Sequence, residues 1–153
     1  MRYSIDTSAI IECWWRQYPP EVFHTVWIKL ENLIEKNIII AIDDVLFELE
    51  KKEDAIYKWA LERRNMFLPH DVRIELAGKS IIQNYKRLID ERNIRSGADP
   101  WVIALAKVES YAVITDEKPT GNLNKPNIPD VCYALNIPCI NMLQLFKEQK
   151  WKF

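Results

Sequence analysis

The segment Ile38-Ile39-Ile40-Ala41-Ile42 constrains this chain more than any other. It is apolar without a break, rich in β-branched isoleucine, and of strand length rather than helix length. A strand with one face in water alternates apolar and polar residues. This one does not, so both of its faces must be covered, as in a parallel sheet with helices on either side. Tyr3-Ser4-Ile5, Tyr111-Ala112-Val113-Ile114-Thr115 and Pro138-Cys139-Ile140 are shorter runs of the same kind. Segments with helical spacing separate them. Strands that alternate with helices predict an α/β fold, a three-layer α/β/α arrangement around a central parallel sheet. At 153 residues and 48% apolar, with no repeat, low-complexity tract or linker, the chain reads as one domain over 1–153.

The helices have their own signals. Asp6-Thr7-Ser8 follows the first strand with good capping residues. Pro19-Pro20-Glu21 starts a second helix, in which Val22, Val26, Leu30, Leu33 and Ile34 share a face and which Asn37 ends. Asp43-Asp44 caps a helix to about Lys51, and Glu53-Asp54 opens another that carries Ile56, Trp59 and Ala60 toward Met66. Asp71 to Glu91 reads as one longer helix, with Ile74, Ala77, Ile81, Tyr85, Leu88 and Ile89 inward. In Gly97-Ala98-Asp99-Pro100, Asp99 fits a cap and Pro100 the first turn. A loop rich in Lys, Asn and Pro spans about Asp116 to Ile128. Short helices then start at Pro129 and after Ile140.

Composition narrows the chemistry. With 21 Lys+Arg against 22 Asp+Glu, the chain is no polycation, although a local basic track is enough to hold nucleic acid. No apolar run approaches a membrane span, and Asp6 interrupts the N-terminus too early for a signal peptide. Cys13, Cys132 and Cys139 are odd in number and lack a C-x-x-C spacing, which predicts a reduced, cytoplasmic protein. Two histidines, His24 and His70, exclude a histidine-rich zinc site and read as structural. The three glycines cannot form G-x-G-x-x-G, and Gly78-Lys79-Ser80 has Arg73 where a phosphate loop needs its earlier glycine.

Ligands of an open parallel sheet bind beyond the carboxyl ends of its strands. Acids gather at those ends here. Asp6 follows the first strand. Asp43 and Asp44 follow the second, with Glu48 one helical turn past Asp44, and Asp116 and Glu117 follow the third. Asp99 starts the helix that leads into the third strand, and Asp130 starts the next helix. Four carboxylates roughly 6 Å apart repel by about 3 kcal/mol per pair at an effective dielectric near 20. Protonation or a cation must relieve that repulsion. Oxygen donors without Cys or His suit Mg²⁺ or Mn²⁺, ions that lower the pKa of a bound water and stabilise charge on a phosphate. Basic residues such as Lys51, Lys52, Arg63, Arg73, Arg92 and Arg95 then offer a phosphate track.

Four pieces carry a family resemblance by their order and spacing: Ile5-Asp6-Thr7-Ser8, Val45-Leu46-Phe47-Glu48-Leu49, Gly97-Ala98-Asp99-Pro100-Trp101-Val102-Ile103-Ala104, and Thr115-Asp116-Glu117. With them the whole chain resembles PIN-domain proteins, the fold of the VapC-type toxins of toxin–antitoxin pairs. Glu117-Lys118-Pro119, Ile128-Pro129-Asp130-Val131-Cys132 and Ile137-Pro138-Cys139-Ile140-Asn141 are similar to a poorly characterised PIN-like subfamily. The resemblance implies a Mg²⁺- or Mn²⁺-dependent endoribonuclease whose catalytic acids fall on Asp6, Glu48, Asp99 and Glu117. Asp6, Asp99 and Glu117 would hold the metal. Asp116 is the alternate for the last of these, and Asp130 is a further acid that faces the metal or supports its ligands. Ser8 stands where the family commonly has Asn and would hydrogen-bond to a metal-binding carboxylate. The partners implied are an RNA substrate, a cognate antitoxin protein and a second copy in a homodimer, with growth-arresting RNA cleavage as the cellular role.

Simpler readings stand beside these. Asp6, Asp99, Asp43 and Asp44 suit helix caps, Glu48 a surface pair with Lys51 or Lys52, and Asp116 and Glu117 ordinary loop positions. Trp14-Trp15 and Tyr18 read as packing residues rather than base-stacking platforms, and Cys132 and Cys139 as small buried residues. The alternative function is a catalytically weak PIN-fold module that binds RNA or protein. An aspartyl phosphatase would want Asp-x-Asp, and Ser8 occupies its second acid.

Overall fold

The computed structural model describes residues 1–52, 54–88 and 97–153. Glu53 (a helix start), Ile89 (an inward position), Glu91 (a helix end), and the phosphate-track residues Arg92 and Arg95 lie outside the described residues.

Among the described residues five strands form one all-parallel sheet. They are β1 (Tyr3–Ile5), β2 (Ile39–Ile42), β3 (Phe67–Leu68), β4 (Ala112–Ile114) and β5 (Cys139–Ile140), in the order β3-β2-β1-β4-β5. In register, Tyr3 lies opposite Ile39 on one side and Ala112 on the other, Ile42 opposite Leu68, and Ile114 opposite Ile140. Successive strand residues face opposite sides of a sheet, yet every residue of β1, β2 and β4 is buried. Both faces are therefore covered, as unbroken apolar strands require.

Among the described residues eight α-helices do the covering: α1 (Thr7–Glu12), α2 (His24–Glu35), α3 (Asp43–Glu50), α4 (Ala55–Leu61), α5 (Val72–Asn84), α6 (Asp99–Glu109), α7 (Ile128–Ala134) and α8 (Met142–Glu148). α6 packs against β1, β2 and β4 at the centre of the molecule. Its Val102 to Ala106 run is buried all round, the pattern of a helix enclosed by protein. The Ser4 hydroxyl donates to the Val102 carbonyl at 2.9 Å, which satisfies a polar group inside that contact.

Local departures from the sequence reading have physical causes. α2 begins at His24 rather than at the prolines, and Val22 is 70% exposed instead of inward. Pro20 disfavours helical backbone at Pro19, so the chain turns there. The Pro19 carbonyl accepts the amides of Val22 and Phe23 before the helix starts. Val26, Leu30, Leu33 and Ile34 do face the core, and Asn37 stops the segment in the left-handed region at φ 58°. The long helix divides at Tyr85, whose backbone leaves the helical region, and a 3₁₀ turn follows over Lys86–Leu88. Asp54 and Asp71 cap their helices, but Asp43, Asp44 and Asp99 do not. They lie one or two residues inside helices whose caps are Ile42 and Ala98. Trp14 packs edge-on against Trp27 and Trp59, Tyr18 lies against Phe23 and Phe146, and Trp15 is half-exposed. Among the described residues no helix is long and apolar enough to cross a membrane.

Candidate metal centre

From β1 the chain adds β2 and then β3 on one side, and afterwards returns to add β4 and β5 on the other. The sheet order reverses between β1 and β4, so the crevice of this open sheet lies at their carboxyl ends. Asp6 follows β1 there, and Thr115, Asp116 and Glu117 follow β4. Asp99, the first residue of α6, reaches the same place because α6 crosses beneath β1 and β4.

Asp6, Asp99 and Glu117 each bring one carboxylate oxygen within 4.8 Å of the other two. Asp6 and Asp99 are buried and Glu117 is partly buried. Asp6 occupies the cap position of α1 without making a capping hydrogen bond. Its Oδ2 accepts instead from the Ser8 hydroxyl at 2.6 Å and the Thr115 hydroxyl at 2.8 Å. Ser8 Oγ also accepts the Asp116 amide at 3.1 Å, which ties the ends of β1 and β4 together. Glu117 Oε1 accepts the Ile128 amide at the start of α7, at 3.2 Å. Glu48 reaches in from α3 and accepts the Thr7 hydroxyl at 3.3 Å.

Burial is the largest influence on all four carboxyls, and repulsion from neighbouring acids adds to it at Asp99, Glu48 and Glu117. Asp6 is pushed up by burial against the opposing hydroxyls of Ser8 and Thr115. Burial, then the charges of Asp6, Glu117 and Glu48, push Asp99 up to about 10. Burial and then Asp6 push Glu48 and Glu117 each to about 7. Among the described residues none of the four is in a salt bridge with Lys or Arg. Carboxylates so enclosed, without a cationic side chain, hold protons or a cation. The donor set is all oxygen, which fits a hard divalent ion.

The other acids singled out from sequence sit elsewhere. Asp116 accepts from the Gln17 amide group at 2.8 Å, outside the three-oxygen cluster. Asp130 takes the amides of Thr120, Gly121 and Asn127 at 2.9, 2.9 and 2.8 Å, and so organises the loop that follows Glu117. Burial works to raise it, but those hydrogen bonds outweigh burial and hold it below the usual carboxylate range. Two residues of the expected phosphate track are engaged in the fold: Arg63 pairs with Glu31, and Arg73 with Glu109 and Asp71. Thr115 belongs to the Thr115-Asp116-Glu117 piece that carries the resemblance, but the sequence reading gives it no role on Asp6, although a hydroxyl residue at a strand end beside an acid is a readable signal.

A second group lies at the ends of β2 and β3. Asp43, Asp44 and His70 bring one oxygen or ring nitrogen each within 4.8 Å of the others. His70 Nε2 is hydrogen-bonded to Asp44, and His70 Nδ1 lies 2.7 Å from Glu75 Oε1. Burial works to lower His70, and the bonds to Asp44 and Glu75 outweigh it and raise it. His24 is exposed on α2.

The family model described as "Domain of unknown function (DUF4411)" matches residues 3–153. No curated protein and no solved structure matches the chain.

Proposed function

For a chain that belongs to the DUF4411 family, we propose a Mg²⁺- or Mn²⁺-dependent endoribonuclease. The observation that carries this reading is the convergence of Asp6, Asp99 and Glu117 at the switch point of a parallel sheet, the first two buried and the third partly so, with no basic partner among the described residues. These three side chains would hold the ion. When bound, it supplies a water of lowered pKa and stabilises charge that develops on a phosphodiester. The protein's own groups do the rest. The Ser8 and Thr115 hydroxyls orient the Asp6 carboxylate, and Asp130 holds the loop that carries Glu117. Glu48, pushed to about 7, is tuned to take a proton from an attacking water near neutral pH. The choice of RNA, and the further proposal of a toxin held in check by an antitoxin protein, are supported by the PIN-domain resemblance of the whole chain.

The test is cleavage of end-labelled total RNA by the purified protein with Mg²⁺, with Mn²⁺ and with EDTA. Discrete cuts should appear with either ion and vanish in EDTA. Asp6→Asn and Asp99→Asn, checked for folding, should each cut at least about 100-fold more slowly. Absent cuts in both ions, or variants as active as wild type, would remove the nuclease reading. RNA affinity retained by such variants would favour a binding module.

A further inference from the structure

We propose that Asp43, Asp44 and His70 form a second cation site, which takes a divalent transition-metal ion such as Zn²⁺ in preference to Mg²⁺. The sheet builds it. β2 and β3 pair in parallel, with Ile42 opposite Leu68, so their carboxyl ends lie side by side. Asp43 and Asp44 open α3 directly after β2, and His70 comes two residues after β3. This brings two aspartate oxygens and a ring nitrogen within 4.8 Å of one another.

The imidazole is held in one orientation. Nδ1 meets Glu75 Oε1 at 2.7 Å. The ring stacks on Trp101 with centroids 4.3 Å apart and planes 34° from parallel. Trp101 is itself wedged against Gly78, where a Cβ would come within 2.0 Å of the indole. Nε2 is left facing Asp44, with Asp43 Oδ1 3.8 Å away. A carboxylate on one ring nitrogen fixes the tautomer and orients the other nitrogen toward a metal, an arrangement that recurs throughout metal sites. The charge balance agrees. Three carboxylates surround one imidazole, and among the described residues none of Asp43, Asp44 and Glu75 is in a salt bridge with Lys or Arg. A lone histidine–aspartate pair would need neither the second aspartate nor Glu75. A cation in place of the proton between Nε2 and Asp44 collects Asp43 as well.

The donor chemistry separates the two sites. An imidazole nitrogen raises affinity for transition metals well above that for Mg²⁺, whereas the all-oxygen set around Asp6 suits Mg²⁺. The inference stands on its own geometry and does not need nuclease activity. Filling this site would tie the start of α3 to the β3–α5 connection and, through Trp101, brace the helix that carries Asp99.

With only two histidines, ring nitrogens are easily assigned, and exposed His24 serves as an internal control. Zn²⁺ is titrated into ¹⁵N-labelled full-length protein in excess Mg²⁺, and long-range ¹H–¹⁵N spectra of the rings are read. His70 Nε2 should shift and saturate while His24 stays in place. Asp43→Asn and Asp44→Asn should each weaken the response at least about tenfold, and Glu75→Gln by about 10- to 100-fold. Asp6→Asn combined with Asp99→Asn should leave the response intact. The proposal is overturned if His70 does not respond to Zn²⁺ or responds no more than His24. An equal response in both Asp43→Asn and Asp44→Asn overturns it too, as does loss in the Asp6/Asp99 double variant. Circular dichroism checks each fold. If Asp44→Asn does not fold, the wild-type spectra and Asp43→Asn decide the matter.

Discussion

Asp99 is the first residue of α6, where its own backbone has already entered the helix and its side chain is free to face inward. Burial and the neighbouring acids push it to about 10, and Glu48 and Glu117 to about 7. A carboxyl raised in this way binds its proton more tightly folded than unfolded. Its stabilising contribution is complete below the unfolded value and is lost as pH rises through the folded one. In EDTA the wild-type melting temperature should therefore fall between about pH 5 and pH 8, and Mg²⁺ or Mn²⁺ should restore it at pH 8. Asp99→Asn is neutral without taking up a proton. In EDTA at pH 8 it should melt above wild type, by about 2–4 °C for each kcal/mol of proton-uptake cost removed, and it should gain little from either ion. Melting curves with and without the ion check this. A wild-type temperature that is flat or rises across that window in EDTA would count against it.

Among the elements, α5 and α6 meet at a close approach that only glycine permits. Gly78→Ala drives a Cβ into the Trp101 indole and should cost about 1–3 kcal/mol in urea denaturation, with Trp101 displaced from His70. The loop between β4 and α7 depends on one carboxylate. Asp130→Asn replaces a charged acceptor of three amides and should cost about 1.5–3 kcal/mol at pH 7. The sign here is the reverse of the Asp99 case. Asp130 is held low, so its contribution is present above the unfolded pKa and is lost as pH falls through the folded one. Denaturation midpoints that converge at low pH would confirm that direction, and a variant as stable as wild type at pH 7 would refute it. These elements also mark what the sequence revealed. β2 was legible because five apolar residues without alternation admit few other readings. β3 was not, because two residues carry no period, and Phe67-Leu68 is a strand only through its pairing with Ala41 and Ile42. That gap hid the second group. Without β3, His70 had no sheet end to occupy, and Asp43 and Asp44 read as caps.

Across the whole molecule, the carboxyl ends of the strands gather both clusters of potential metal-binding side chains found among the described residues. Reading from β3 through β2 and β1 to β4, the strand ends present His70, then Asp43 and Asp44, then Asp6, then Glu117. Asp6, Asp99 and Glu117 were legible as acids beside a strand end or a helix start, but so were five others, and the PIN-domain resemblance singled these three out. Placement alone does not separate Asp116 from Glu117, because they are neighbours and only the fold of the following loop turns one inward. In the proposed reading, Asp6, Asp99 and the partly buried Glu117 together form one hard-cation site. Calorimetric titration of Mg²⁺ into the metal-free protein at pH 8 tests it most directly, with Asp6→Asn, Asp99→Asn and Asp116→Asn alongside. Wild type and Asp116→Asn should bind saturably, and the other two at least about tenfold more weakly. Equal binding by wild type and Asp99→Asn, or none by the wild type, would contradict it.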